Sequence, residues 1–397
     1  MDNQFLQGKE GKELETIGEE LFHRIGLNCI GSVGQIKLND ITSGYTEGEH
    51  IEFDYIIPEN KLCLIGEITG RRDQGDIQKK YKKFIQQINI IKDRIDDSEI
   101  WGKLGIQSQS IRLFREVTSV KGFFITTTKE KCDITLSRAD GIAVFYKSDF
   151  LRLHEYSENI GKWTKNYFLN HFCPEYTPNN GITIYEKDLI KSLDVKISEI
   201  DTLADLYTFT KSPYDLLDIT HVYRRDELPS LESSTYNYQR PLNYEKLKEI
   251  RKNLLIDRDF MFPSNILVIL SKKCNYVKDG NGDSYLYIPN KYGSISVIDG
   301  QHRLFSYAND DVKEVMKGDC RITVTAVQFK TDDEKLIGQL SAKVFIEINA
   351  NQTKVEISHL DKIAYELGND DPKVIATRII VELNSRGNFK QFFDISS

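Results

Sequence analysis

At 397 residues, 40% hydrophobic and with a net charge of −7, the chain has a soluble globular composition and is too long for one core, so two domains are expected. No apolar run approaches the ~20 residues needed to span a bilayer, and the first twenty residues are polar and acidic, so a cytoplasmic location without a membrane partner is expected. Six cysteines, at positions 29, 63, 132, 173, 274 and 320, form no Cys-x-x-Cys pair, which argues against a zinc cluster or a disulfide framework.

Residues 10 to 27 place Leu14, Ile17, Leu21 and Ile25 on one face at helical spacing, and Gly26 closes the run. Ile51–Ile57 and Leu62–Ile68 then read as two strands of a hairpin, joined by Pro58-Glu59-Asn60-Lys61. A second helix follows, with Ile77, Tyr81, Phe84, Ile88, Ile91 and Ile95 as its apolar stripe, before a strand at Gly122–Thr126. Residues 71 to 131 hold 14 Lys or Arg against 8 Asp or Glu, a patch that could follow a phosphate backbone or form a solvated helix face.

This order, with Asp54 on one hairpin strand and Glu67 near the end of the next, resembles the restriction-endonuclease-like (PD-(D/E)xK) nuclease core. The resemblance implies a metal-dependent DNA endonuclease in which Asp54 and Glu67 hold Mg²⁺ or Mn²⁺. The pattern's lysine belongs two residues after the second carboxylate, where this chain has Thr69. A threonine supplies no positive charge, so a lysine from the next helix is the expected substitute. At 100° per residue Lys80 lies roughly 60° from the centre of the apolar stripe, whereas Lys79, Lys82 and Lys83 point further outward. Gln87 lies two turns on from Lys80, and Glu20 on the first helix is the candidate third carboxylate, as in some relatives.

Cys173–Gly181, rich in Pro and Asn, is the expected domain boundary. The expected division is a nuclease-like domain over 1–173, a connector over 174–204 and a second domain over 205–397. Residues 183 to 210 read as mixed, with one or two helices. Tyr244–Leu255 reads as a helix, and Asn265–Leu270, Ser294–Ile298, Ile322–Phe329 and Lys343–Ile348 read as strands. Gly280-Asn281-Gly282-Asp283 reads as a hairpin tip.

Asp299-Gly300-Gln301-His302-Arg303 lies between a strand-like run and a helix-like one, the outline of an anion site at a helix start. Together with Val222-Tyr223-Arg224, the Tyr238–Leu242 and Phe262–Ile266 segments, and Phe345–Val355, this pentapeptide resembles the DGQHR-domain family, which includes the DndB-like regulators of DNA phosphorothioate modification. The resemblance implies a variant of the ParB/sulfiredoxin fold whose members often bind or hydrolyse a nucleotide, here ATP or CTP. Its relatives continue further, so a C-terminal truncation is part of the expectation. The candidate phosphate-binding residues are Arg240, Asp299, Gly300, Gln301, His302, Arg303, Asn349, Asn351 and Gln352. The alternative for the pentapeptide is an internal Asp299–Arg303 ion pair beside a structural histidine, and for Asn349 and Gln352 a turn or cap role.

The expected fold class is α/β (α+β), a restriction-endonuclease-like core followed by a ParB/sulfiredoxin-like DGQHR domain. The expected function is a bacterial phage-defence or DNA-modification-linked protein, in which a nucleotide- or DNA-sensing rear domain controls cleavage by the front domain. Its expected partners are DNA, other proteins of such a system, and further copies of itself. Two alternatives stand beside it. One is a non-catalytic DNA-binding regulator with an inactive nuclease-like domain, which Thr69 favours; the other is a nucleotide hydrolase without DNA contact.

Overall fold

The computed structural model describes residues 11–31, 33–37, 50–97, 99–130, 141–170, 181–197, 200–222, 241–257, 264–278, 283–316 and 320–351, with isolated positions between and beyond them. The chain is a mixed α/β protein with open sheets, divided into two compact units. The front unit is Met1–Tyr176 with Leu228–Glu232, and the rear unit is Thr177–Glu227 with Ser233–Ser397. Among the described residues no helix is long and apolar enough to cross a membrane.

The front unit begins with α1 (Lys12–Arg24), which buries Leu14, Gly18, Leu21 and Phe22. Gly26, at φ 80, turns the chain out of it. Strand β1 (Val33–Lys37) pairs antiparallel with β2 (His50–Phe53). The run expected to be one strand is broken at Asp54 into β2 and β3 (Tyr55–Glu59). The hairpin to β4 (Leu62–Thr69) turns at Asn60, whose φ is 54, and Pro58 lies within β3 opposite Cys63. That proline is tolerated because β3 ends the sheet order β3-β4-β5-β6.

Strands β5 (Ser119–Thr126) and β6 (Ile142–Phe145) run parallel to β4 and to each other, so the chain must cross over between β4 and β5. Helix α2 (Gln74–Lys92) makes that crossing, capped by the Asp73 carboxylate, which accepts the Asp76 N–H. Because β5 alternates, Phe124 faces Tyr81 and Phe84 of α2, while Phe123 faces Phe22 of α1 and Phe168 on the other side. Gly66 lies under Phe123, where any Cβ would come within 2.0 Å of the ring. Helices α3 (Lys147–Ile160) and α4 (Thr164–Leu169) complete that second layer.

The rear unit opens with strands where the sequence suggested a connector with helices. Residues 182 to 211 form β7 (Ile182–Tyr185), β8 (Leu189–Ile197) and β9 (Ile200–Lys211). The long β8–β9 ladder is irregular between Ser192 and Val195, where Asp194 has φ 54 and its N–H meets the Asp205 carboxylate at 2.9 Å. After α5 (Pro213–Leu217), β10 (Thr220–His221) and α6 (Tyr244–Ile256) come β11 (Ile266–Leu270), β12 (Asn275–Lys278), β13 (Ser284–Ile288) and β14 (Ile295–Asp299). Helices α7 (Gln301–Ser306) and α8 (Asp310–Met316), strand β15 (Ile322–Phe329) and helix α9 (Glu334–Asn351) follow.

One sheet has the order β10-β14-β11-β15-β9-β8, and a smaller one has β12-β13-β7. The β12–β13 hairpin matches the expected one, although residues 279, 281 and 282 of its tip lie outside the described residues. Residues 343 to 348, expected as a strand, belong instead to α9. Asp333 starts that helix by accepting the Lys335 and Leu336 N–H groups, and Leu340, Val344 and Phe345 recur at helical spacing against Ile298, Val327 and Phe329. Period, not β-branched composition, decides the element.

Candidate active site

Asp54 and Glu67 meet because of register. Strands β3 and β4 are antiparallel with Tyr55 opposite Gly66, so the next pair along is Asp54 and Glu67, and the Asp54 N–H still reaches the Gly66 carbonyl at 3.2 Å. At the break between β2 and β3 the Asp54 side chain turns back onto β4, where Oδ2 accepts the Ile68 N–H at 2.7 Å. The two carboxylates are only 6% and 7% exposed. Buried acids require a partner.

Lys80, from the second turn of α2, supplies it. Its Nζ donates to the Ile68 carbonyl at 2.8 Å, contacts Glu67 Oε1 directly and lies 4.0 Å from Asp54 Oδ2. One ammonium is thus seated among three oxygens, one from the β2–β3 break and two from β4. Gln87, two turns on, donates to the His50 carbonyl at 3.1 Å and ties α2 to the start of β2.

Burial, followed by the Asp54 charge, pushes Glu67 up to about 8 despite the pull of Lys80. Burial also raises Asp54, against the lowering effects of Lys80 and the Ile68 N–H. The pair is therefore short of one positive charge near neutral pH, and the Glu67 proton makes up the difference. Two carboxylates and a main-chain carbonyl are hard oxygen donors, a set that fits Mg²⁺ or Mn²⁺ with water completing the shell. Among the described residues no group of three or more His, Cys, Asp or Glu gathers into a metal cluster.

Glu20, expected as a third carboxylate, is exposed, and its charge acts on His154. The first-helix acid that feels the pair is Glu15, which burial and then Asp54 raise, while Lys80 lowers it. Tyr55 sets this rotation of α1: its hydroxyl donates to the Leu14 and Glu15 carbonyls, and its ring packs on Gly18. Glu15 was missed because helix spacing alone ranks it no higher than Glu20. Thr69 is buried at 3%, with its hydroxyl accepting the Arg71 N–H at 3.3 Å. It takes no charge-bearing role.

In the rear unit the Asp299–Arg303 segment forms the turn from β14 into α7. Gly300 has φ 92, and a Cβ there would meet Ile266 at 2.7 Å, so only glycine fits. Arg303 Nη2 pairs with Asp299 at 2.8 Å, and Nη1 donates to the Ser264 and Asn265 carbonyls at 2.8 and 2.7 Å and to the Ser264 hydroxyl. His302 Nε2 accepts the Asn243 N–H at 2.9 Å, at the start of α6, and Gln301 is buried. The segment ties β14 and α7 to the residues that lead into β11 and to the start of α6. Arg240 and Gln352 lie outside the described residues, as do the side chains of Asn349 and Asn351 on α9.

Compared with models of protein families, with curated proteins and with solved structures, the chain matches none. Its chemistry has to be read from its own residues.

Proposed function

We propose that the front unit is a nuclease-like module that cleaves DNA phosphodiesters with a divalent cation, under the control of the rear unit. The observation that carries this reading is the Lys80 ammonium seated among Asp54, Glu67 and the Ile68 carbonyl. A lysine from the crossing helix thereby supplies the charge that Thr69 cannot. The arrangement supports the restriction-endonuclease-like reading of the fold, with β3, β4, α2 and β5 in the required order.

In this reading Asp54, Glu67 and the Ile68 carbonyl would hold Mg²⁺ or Mn²⁺, which would neutralise the scissile phosphate and favour ionisation of an attacking water. Asp54 is held in position by the Ile68 N–H. Lys80, beside both carboxylates, would place its positive charge where negative charge develops on the phosphate. Glu15 adds negative potential on the α1 side. The exposed basic residues Arg71, Arg72, Lys79, Lys82 and Lys83 flank this cluster in sequence and suit a phosphate backbone. The rear unit joins as the controlling module through the resemblance carried by Asp299–Arg303, with ATP or CTP as its candidate ligands. A defence role, self-association and a cytoplasmic location belong to the same reading.

The test is cleavage of supercoiled and linear DNA with Mg²⁺ or Mn²⁺, with and without ATP or CTP, in wild type and Glu67→Gln. Cleavage by the wild type that is lost in the variant is the expected result. Salt-sensitive DNA binding without product in any condition would instead establish the non-catalytic regulator, the reading that Thr69's internal hydrogen bond favours.

A further inference from the structure

A cavity of about 490 Å³ opens in the rear unit, and none of residues 299 to 303 lines it. Its floor follows from strand alternation. Asp205 and Tyr207 project to one face of β9, and Gln328 and Lys330 join them from the neighbouring strand, since Asp205 pairs with Gln328. Tyr276 of β12 forms a wall, its ring centroid 6.2 Å from that of Tyr207 at 33°. The Gln328 amide is pinned at the back by its hydrogen bond to the Cys274 carbonyl at 2.7 Å.

The positive charge around this cavity is already committed. Lys330 contacts Asp194 and lies 3.1 Å from Asp205, and Lys272 lies 3.3 Å from Glu334. Lys191 pairs with Glu186 at 2.6 Å and sits over the Tyr276 ring at 4.1 Å. A phosphate would meet ammonium groups that carboxylates already neutralise. A flat, uncharged heterocycle would find the Tyr207 and Tyr276 rings as an aromatic wall, and the Gln328 amide oxygen, whose nitrogen is the end bonded to Cys274, would accept from its polar edge beside the remaining acceptor capacity of Asp205.

We propose that this cavity binds a nucleobase-like heterocycle, supplied as a free nucleoside or as an unpaired base of a nucleic-acid strand. The assignment goes beyond the cleavage reading and does not require the front unit to cut. It places ligand recognition at β9, β12 and β15, whereas the sequence pointed to the Asp299–Arg303 turn.

The experiment titrates the full chain with adenosine, guanosine, cytidine and thymidine, each beside its 5′-monophosphate, by calorimetry. A parallel arm uses a short single strand beside an abasic strand of equal length, by fluorescence anisotropy. At least one nucleoside, or the base-bearing strand over the abasic one, should bind, and Tyr276→Ala should weaken that binding about tenfold or more. Asp205→Asn is the second variant, should Tyr276→Ala fold poorly. A 5′-monophosphate should bind within about threefold of its nucleoside, because the lysines are neutralised. Nucleoside binding identifies the free ligand as the source; strand binding alone identifies an extruded base. The proposal is overturned if neither variant alters any binding, if nothing binds, or if the monophosphate binds much more tightly than the nucleoside. Glu67→Gln should leave this binding intact, so failure here and failure of the cleavage reading are separable.

Discussion

Burial keeps Glu67 protonated up to about 8, whereas an exposed glutamate ionises near 4.5. Between those values the folded chain binds more protons than the unfolded one, so stability falls as pH rises through this window and levels off above it. Denaturation midpoints should therefore decline from near pH 5 to near pH 8 in wild type and change much less in Glu67→Gln. A slope that survives the substitution would assign the titration to another group. Lys80→Met removes the cation from between two buried acids, at a cost of about 1–3 kcal/mol that grows toward alkaline pH as Glu67 ionises. It should also abolish any cleavage, and paired unfolding and cleavage assays at two pH values read both effects. Lys80 was legible in the sequence because helix geometry fixes which lysine borders an apolar stripe. Glu15 was not, since the rotation of α1 depends on Tyr55 reaching across from β3.

Elements with strong periods were legible: α1, α2, β4 and β15 fall where the apolar spacing placed them, within a few residues at their ends. Those that depend on distant partners were not. In the 182–211 segment β8 and β9 pair with each other, but β7 pairs with β13 and β9 with β15, residues far along the chain. In α9 the Val-Phe-Ile-Glu-Ile run of 344–348 suggests a strand, yet its helical face toward Val327 and Phe329 prevails. Lys343 is exposed within that helix, so Lys343→Pro should cost about 3 kcal/mol by breaking it. Loss of the corresponding helical signal by circular dichroism, with a lower melting temperature, is the expected outcome. In β4, Gly66→Ala would push a methyl into the Phe123 ring and should destabilise by about 1–3 kcal/mol or more, measurable by urea denaturation.

Two units with separate hydrophobic clusters imply two cooperative transitions. In scanning calorimetry Gly66→Ala should lower one transition and Gly300→Ala, strained at φ 92, the other. Coincident shifts of a single peak would mean that the chain unfolds as one body. The Arg303 hydrogen bonds to Ser264 and Asn265 show why the rear site was harder to read than the front one: a guanidinium drawn to its own backbone has the same sequence signature as one free for phosphate. The lysine at the front has a consequence for assembly. With an ammonium already among the oxygens, the front unit carries its own counter-ion and need not await a metal to fold. Chain prepared in EDTA should melt within a degree or two of untreated chain, unlike metal-dependent domains that unfold on chelation. Asp54 and Glu67 would thus be kept ready as oxygen donors by a side chain whose own charge also suits a phosphate, so the fold would pre-organise the site before any ligand is bound.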